Sequence, residues 1–185
     1  MTQRIKEIME KTNYWLSFAE AKCAGMGVIN LTIIIAVIGV LFDKYSELSC
    51  YLLIYMYNFL ICNIISLILI LIAMLPCLDK LKEQNKNTNR NEEDKNLIFY
   101  GDIATYNCGI TYVRDLYKYY EQKNVEDSQI SIEERDFAEE VICISKITVR
   151  KYRRFKESIF WTLGGFLIPV IGGVIYFCVI RRMKK

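Results

Sequence analysis

Three stretches of this chain carry no charged residue, and nothing else constrains its fold as much. They are residues 25–42, 51–78 and 159–180. A helix rises about 1.5 Å per residue, so roughly 20 apolar residues cross a hydrocarbon core of about 30 Å. All three stretches reach membrane-spanning length, and the second is long enough to tilt or to extend past the bilayer. Buried helices of soluble proteins run to roughly 10–14 apolar residues, and three stretches this long do not fit that pattern. Hydrophobic residues make up 53% of the chain and charged ones 24%. The two kinds are segregated, as expected for an integral membrane protein with a polar insert.

The boundaries follow from that segregation. Residues 1–24 read as an N-terminal amphipathic cytoplasmic helix, with Ile5, Ile8, Thr12, Trp15 and Ala19 on one face. A helix lying on the lipid surface is the competing reading for residues 3–18. This stretch is too polar for a signal peptide, so the first apolar segment is expected to stay in the mature protein. Transmembrane segments 25–42 and 51–78 form a hairpin. Residues 79–96, polar and rich in Asn and Lys, read as a linker. Residues 97–158 read as a helical cytoplasmic domain, 159–180 as a third membrane segment and 181–185 as a basic tail.

Within the insert, Ile103, Tyr106, Ile110, Val113, Tyr117 and Tyr120 recur at helical spacing. The spacing predicts one helix, with Gly101 as a break before it, Asp102 as N-cap and its end near Lys123. A second helix is predicted from about Ser131, where Ser131 and Glu134 form a capping box. Its face is Phe137, Val141, Ile144, Thr148, Tyr152 and Phe155, and no Pro or Gly separates it from the third apolar segment. Nothing reads as a strand. The fold class expected is all-α: a two-helix transmembrane hairpin, a third C-terminal membrane segment and a small helical cytoplasmic bundle.

Loop charges set orientation. The segment 79–158 holds 15 of the 24 Lys and Arg, whereas the hairpin loop holds Lys44 alone. The N-terminus and the insert are therefore expected on the inner, cytoplasmic side of the membrane, with the hairpin loop outside. The tail from Arg181 to Lys185 opposes this rule if the third segment crosses fully. Gly164, Gly165, Pro169, Gly172 and Gly173 would allow that segment to bend or re-enter instead.

Chemistry is sparse. The chain has no His, and its seven Cys contain no C-x-x-C pair, so no metal and no cofactor are expected. No nucleophile elbow or phosphate loop occurs, and adjacent acids on helices read as solvated faces. We expect no catalytic residue and no enzyme. A net charge of +3 makes no case for a nucleic acid polymer. The insert is instead dense in Tyr, with Arg and Lys between them. Such residues stack on bases and hold phosphates, pack as helix interiors, or attract anionic headgroups.

The segments "TNYWLSFAEAKCAGMGVIN", "NLIFYGDIATY" and "EEVICISKITVRKYRRFKESIFWTLGG" together resemble the bacterial Pycsar transmembrane effector family. Ala19-Glu20-Ala21-Lys22 and Asn30 match its acid-x-Lys entry into the first span. Phe99-Tyr100-Gly101-Asp102-Ile103 match a second motif, and Ile144-Ser145-Lys146-Ile147 with Lys151-Tyr152 a third. The basic tail departs from the family pattern.

The resemblance implies an anti-phage effector activated by cyclic UMP or cyclic CMP that impairs the membrane and causes abortive infection. Its ligand-facing candidates are Glu20, Lys22, Tyr100, Asp102, Tyr106, Arg150, Lys151 and Tyr152. Glu20 and Lys22 are two apart and do not pair with each other, so each needs a partner on a neighbouring helix or water. Asn30, Thr32, Asn58, Asn63 and Ser66 are polar within the apolar segments, as pore-lining or helix-bridging groups. Three spans do not enclose a pore alone, so a homo-oligomer in the lipid bilayer is expected. A ligand-independent holin-like or toxin-like protein and a membrane scaffold recruiting a protein partner stand as alternatives.

Overall fold

A computed structural model describes residues 1–75 and 96–183. The end of the second apolar segment (76–78), nearly all of the linker and the last two residues of the tail lie outside the described residues. Every regular element among the described residues is helical. In chain order they are α1 (Thr2–Lys44), α2 (Cys50–Met74), the short α3 (Tyr100–Ile103), α4 (Gly109–Leu116) and α5 (Ile132–Met183). A π-helical turn at Tyr117–Glu121 and a 3-10 turn at Asp127–Gln129 join α4 to α5. The described residues fall into two compact units. The first takes residues 1–21 and 96–152, the second 22–75 and 153–183.

The first unit is a small helical bundle. Its core joins Ile5 and Ile8 of α1, Leu97, Ile103 and Tyr106, Tyr112, Val113 and Leu116 of α4, and Ala138, Val141 and Ile142 of α5. Of the face of α1 expected from its spacing, Ile5 and Ile8 are folded into this core, whereas Trp15 stays 38% exposed. The Ser131–Glu134 capping box forms as expected. The Glu134 amide donates to Ser131 Oγ at 3.2 Å and the Ser131 amide to Glu134 Oε2 at 3.3 Å. From there α5 runs as one helix to Met183 with Pro169 inside it, and no re-entrant turn interrupts it.

The single helix expected over 102–123 is corrected. The chain leaves helical geometry after Ile103, and Cys108 is extended at φ −139°, ψ 135° before α4 begins. Asp102 is not an N-cap. It sits inside α3 and accepts the Asn96 amide at 3.1 Å instead. The break re-aims α4, so Tyr112 and Leu116 become fully buried while Tyr120 stays exposed. Gly109 makes this possible: a Cβ there would lie 2.8 Å from the Arg135 carbonyl oxygen on α5. The turn closes at Gln122, which takes the left-handed conformation (φ 54°).

The second unit gathers α1 from Lys22 onward, α2 and α5 from Arg153 onward. Ser49 caps α2, accepting the Leu52 amide at 3.4 Å. Three helices in the structure are long and apolar enough to cross a membrane. Large apolar side chains point outward from them, with Val28 66%, Ile35 63%, Ile54 65% and Phe160 63% exposed, as lipid contact requires. Gly165 lets α5 approach α2 closely, since a Cβ there would meet Cys62 Cβ at 2.9 Å. Phe59 and Phe166 pack edge to face at 4.4 Å beside it. Cys23 and Cys62 are buried among apolar groups, as expected of small hydrophobes, while Cys50 and Cys143 are exposed.

Candidate functional site

In the first unit, α1, the 97–100 turn and α5 bring aromatic rings together. Tyr100 lies at the centre. Its ring is 5.6 Å from Tyr152 and nearly parallel to it, 5.7 Å from Trp15 and 4.5 Å from Phe99. Burial raises the Tyr100 hydroxyl above the ordinary phenol pKa, so it stays protonated at physiological pH. Tyr14 and Phe18 stack at 6.5 Å on the same helix as Trp15.

A charged pair also joins α1 and α5. Lys151 Nζ on α5 donates to Glu20 Oε1 on α1 at 2.5 Å. The lysine side chain is only 13% exposed, whereas that of Glu20 is 51% exposed. The ammonium is held on a largely buried stem and its partner faces water. This settles where Glu20 finds its counter-charge: on α5, not on Lys22. Lys22 belongs to the second unit, where its ammonium lies 6.0 Å from the Phe155 ring, at the outer limit of a cation–π contact.

The remaining candidates divide. Asp102 is buried at 8% exposure and holds the Asn96 backbone, which fixes the turn carrying Phe99 and Tyr100. Tyr106 is also 8% exposed, donates to Asp115 Oδ2 at 2.7 Å and packs edge to face on Tyr112. Burial, then the Asp115 hydrogen bond and charge, pushes its hydroxyl far above the ordinary range, and its place is the bundle core. Arg150 is half-buried. Tyr100, Lys151, Tyr152 and Glu20 thus share one region of the bundle, joined by Trp15 and Phe99. Residue spacing marked Trp15 merely as part of an apolar stripe. The signal was its size, since an indole offers a large apolar face on which other rings pack. A shallow concavity lined by Arg114, Val125, Glu126, Asp127 and Ser128, with an Arg114–Asp127 ion pair across it, includes none of the eight candidates.

A second polar cluster lies in the membrane-length unit. Asn30 Nδ2 donates to Ser66 Oγ at 2.7 Å, linking α1 to α2. Ser66 lies 2.5 Å from Ser158 Oγ and 2.9 Å from the Ser158 carbonyl oxygen, linking α2 to α5. Thr162 Oγ1 closes the set, 2.9 Å from Ser66 Oγ and 3.1 Å from Asn30 Oδ1. Asn30, Ser66 and Ser158 are fully buried and Thr162 is 6% exposed. Hydroxyls and amides without access to water must satisfy one another, so this network fixes the register of three helices. Asn63, fully buried, donates to the Phe59 carbonyl at 2.8 Å, and among the described residues its Oδ1 has no hydrogen-bond partner. Thr32 is exposed and donates back to the Val28 carbonyl at 2.9 Å. Asn58 is exposed. Ser158 and Thr162 were missed from the sequence. Their four-residue spacing, on one helix face at the entry to the third apolar segment, was the available signal.

Among the described residues no cluster of His, Cys, Asp and Glu could hold a metal ion. The fold and these two clusters define a class of protein: an all-helical membrane protein that carries an aromatic-rich helical bundle outside its apolar segments. The chain belongs to the Pycsar effector family, because the family model for the Pycsar effector protein domain matches residues 4–178. No curated protein and no solved structure matches it. Family membership supports an anti-phage membrane effector.

Proposed function

We propose that this chain senses a cyclic nucleotide, cyclic UMP or cyclic CMP, with its bundle and impairs the inner membrane in response, halting the infected cell. The N-terminus and residues 79–158 face the cytoplasm, where such a nucleotide is made, and several copies act together. The observation that carries the reading is the Lys151–Glu20 pair on α1 and α5, the two helices whose Trp15 and Tyr152 rings pack on Tyr100 of α3. A pyrimidine base stacks on aromatic faces, and a cyclic phosphate is an anion that competes with a carboxylate for an ammonium. Nucleotide binding would then release Glu20 from α5. Both α1 and α5 run without interruption from the bundle into their apolar segments. A change in how these two helices pair in the bundle therefore has a covalent route into the membrane.

The test uses the full chain in dye-loaded vesicles of bacterial lipid. Micromolar cyclic UMP or cyclic CMP should trigger dye release, and Lys151→Met should abolish it while leaving helicity unchanged. Release without any nucleotide would instead favour a ligand-independent toxin. No calorimetric binding and no release with either nucleotide would remove the sensing reading.

A further inference from the structure

One polar side chain of α2 faces away from the helices of its own unit. Asn58 is exposed, surrounded on its face by Ile54 (65% exposed), Tyr57 (47%) and Ile61 (56%). Its Oδ1 receives a weak, long hydrogen bond from Cys62 Sγ at 3.8 Å. Among the described residues, no acceptor takes a hydrogen bond from its Nδ2. Thr32 shows the contrast: it too is exposed, on α1, but satisfies its hydroxyl on its own helix.

Depth makes the difference matter. Asn58 lies about 12 Å along α2 from Cys50 and about 24 Å from Met74, at a rise of about 1.5 Å per residue. With α2 crossing the bilayer, that position is inside the hydrocarbon. The side chain is too short to lift its amide to the headgroups, as Lys or Arg would. Acyl chains offer neither donor nor acceptor, and water is absent. A carboxamide has both a donor and an acceptor, so it pairs with an identical carboxamide across a symmetric contact.

We propose that Asn58 and the apolar side chains around it form the face through which copies of this chain associate within the bilayer, amide to amide. The inference rests on the membrane placement of α2 but not on nucleotide sensing. It predicts association before any nucleotide arrives.

The experiment reconstitutes full-length protein, labelled with donor and acceptor dyes, into vesicles and follows energy transfer as lipid dilutes the protein, with no nucleotide present. Asn58→Leu should weaken association by on the order of tenfold. Asn58→Gln, which keeps the amide, should stay within about threefold of the parent. Leu is at home on a lipid-facing helix, so circular dichroism should show no loss of helix in either variant. Unchanged association in Asn58→Leu, or a parent protein that is monomeric at every dilution, overturns the proposal. Carbonate extraction run in parallel separates the failures, because a parent protein released from the vesicles would defeat the membrane placement itself.

Discussion

Replacing Ser66 by Ala removes one oxygen from the centre of the buried network, and its consequence can be worked out from the distances. The hydroxyl accepts from Asn30 Nδ2 at 2.7 Å and donates toward Ser158, with Thr162 Oγ1 at 2.9 Å. Interhelical hydrogen bonds in membrane proteins contribute about 0.6 kcal/mol on average and up to about 1.7. Two or three such bonds meet at Ser66, so a loss of about 1–2 kcal/mol is expected. Thr162 retains a route to Asn30 Oδ1 at 3.1 Å, which keeps the loss below a full collapse. Thr32→Val is the control: its hydroxyl bonds to its own helix on an exposed face, and a change within about 0.5 kcal/mol is expected. The assay is reversible unfolding in mixed micelles, followed by circular dichroism across a denaturing detergent titration. A double-mutant cycle with Asn30→Leu should return a coupling of about 0.5–1.5 kcal/mol. Equal effects of Ser66→Ala and Thr32→Val, with no coupling to Asn30, would refute the claim that this network holds the three helices in register.

Other expectations concern the bundle. Burial by itself would raise the pKa of the Glu134 carboxyl, but hydrogen bonds from the Ser131 amide and the Tyr117 and Thr2 hydroxyls outweigh it, so the folded pKa lies below the usual value. A depressed folded pKa contributes stability above the unfolded value of about 4.3, and that stability is lost as pH falls through the folded pKa. Glu134→Gln should therefore cost about 1–3 kcal/mol at pH 7 and progressively less below pH ~4, read by thermal unfolding; an equal cost at both pH values would count against this account. Gly109→Ala should destabilise by about 1–3 kcal/mol, because the new methyl meets the Arg135 carbonyl oxygen at 2.8 Å, and a neutral result in chemical denaturation would show that α4 can move away from α5. Gln122→Gly should raise stability by about 1 kcal/mol, since glycine takes the left-handed turn without the Cβ penalty, and a lowered melting temperature would contradict it.

Much of the chain was legible from residue type alone. The three apolar segments, the all-helical class and the capping box at Ser131 follow from local rules, because a helix in lipid must satisfy its own backbone and a cap satisfies the next turn. The stripe Ile5–Ile8–Thr12 showed which way α1 turns into its bundle. The break at Asn107–Cys108 was not legible. Ile103, Tyr106, Val113 and Tyr117 keep helical spacing through it, and only the close approach of Gly109 to α5 shows that the chain bends there. Lys151 likewise gave no hint that its partner is Glu20, 131 positions away.

The sequence by itself determined which segments leave water, because transfer of apolar surface depends on composition and length and hardly on neighbours. Tertiary structure alone decided which polar groups meet. Asn30, Ser66, Ser158 and Thr162 come from three helices, and a hydrogen bond needs its two atoms within about 3 Å. That distance is set by how helices pack, and no pattern along a single strand of residues contains it.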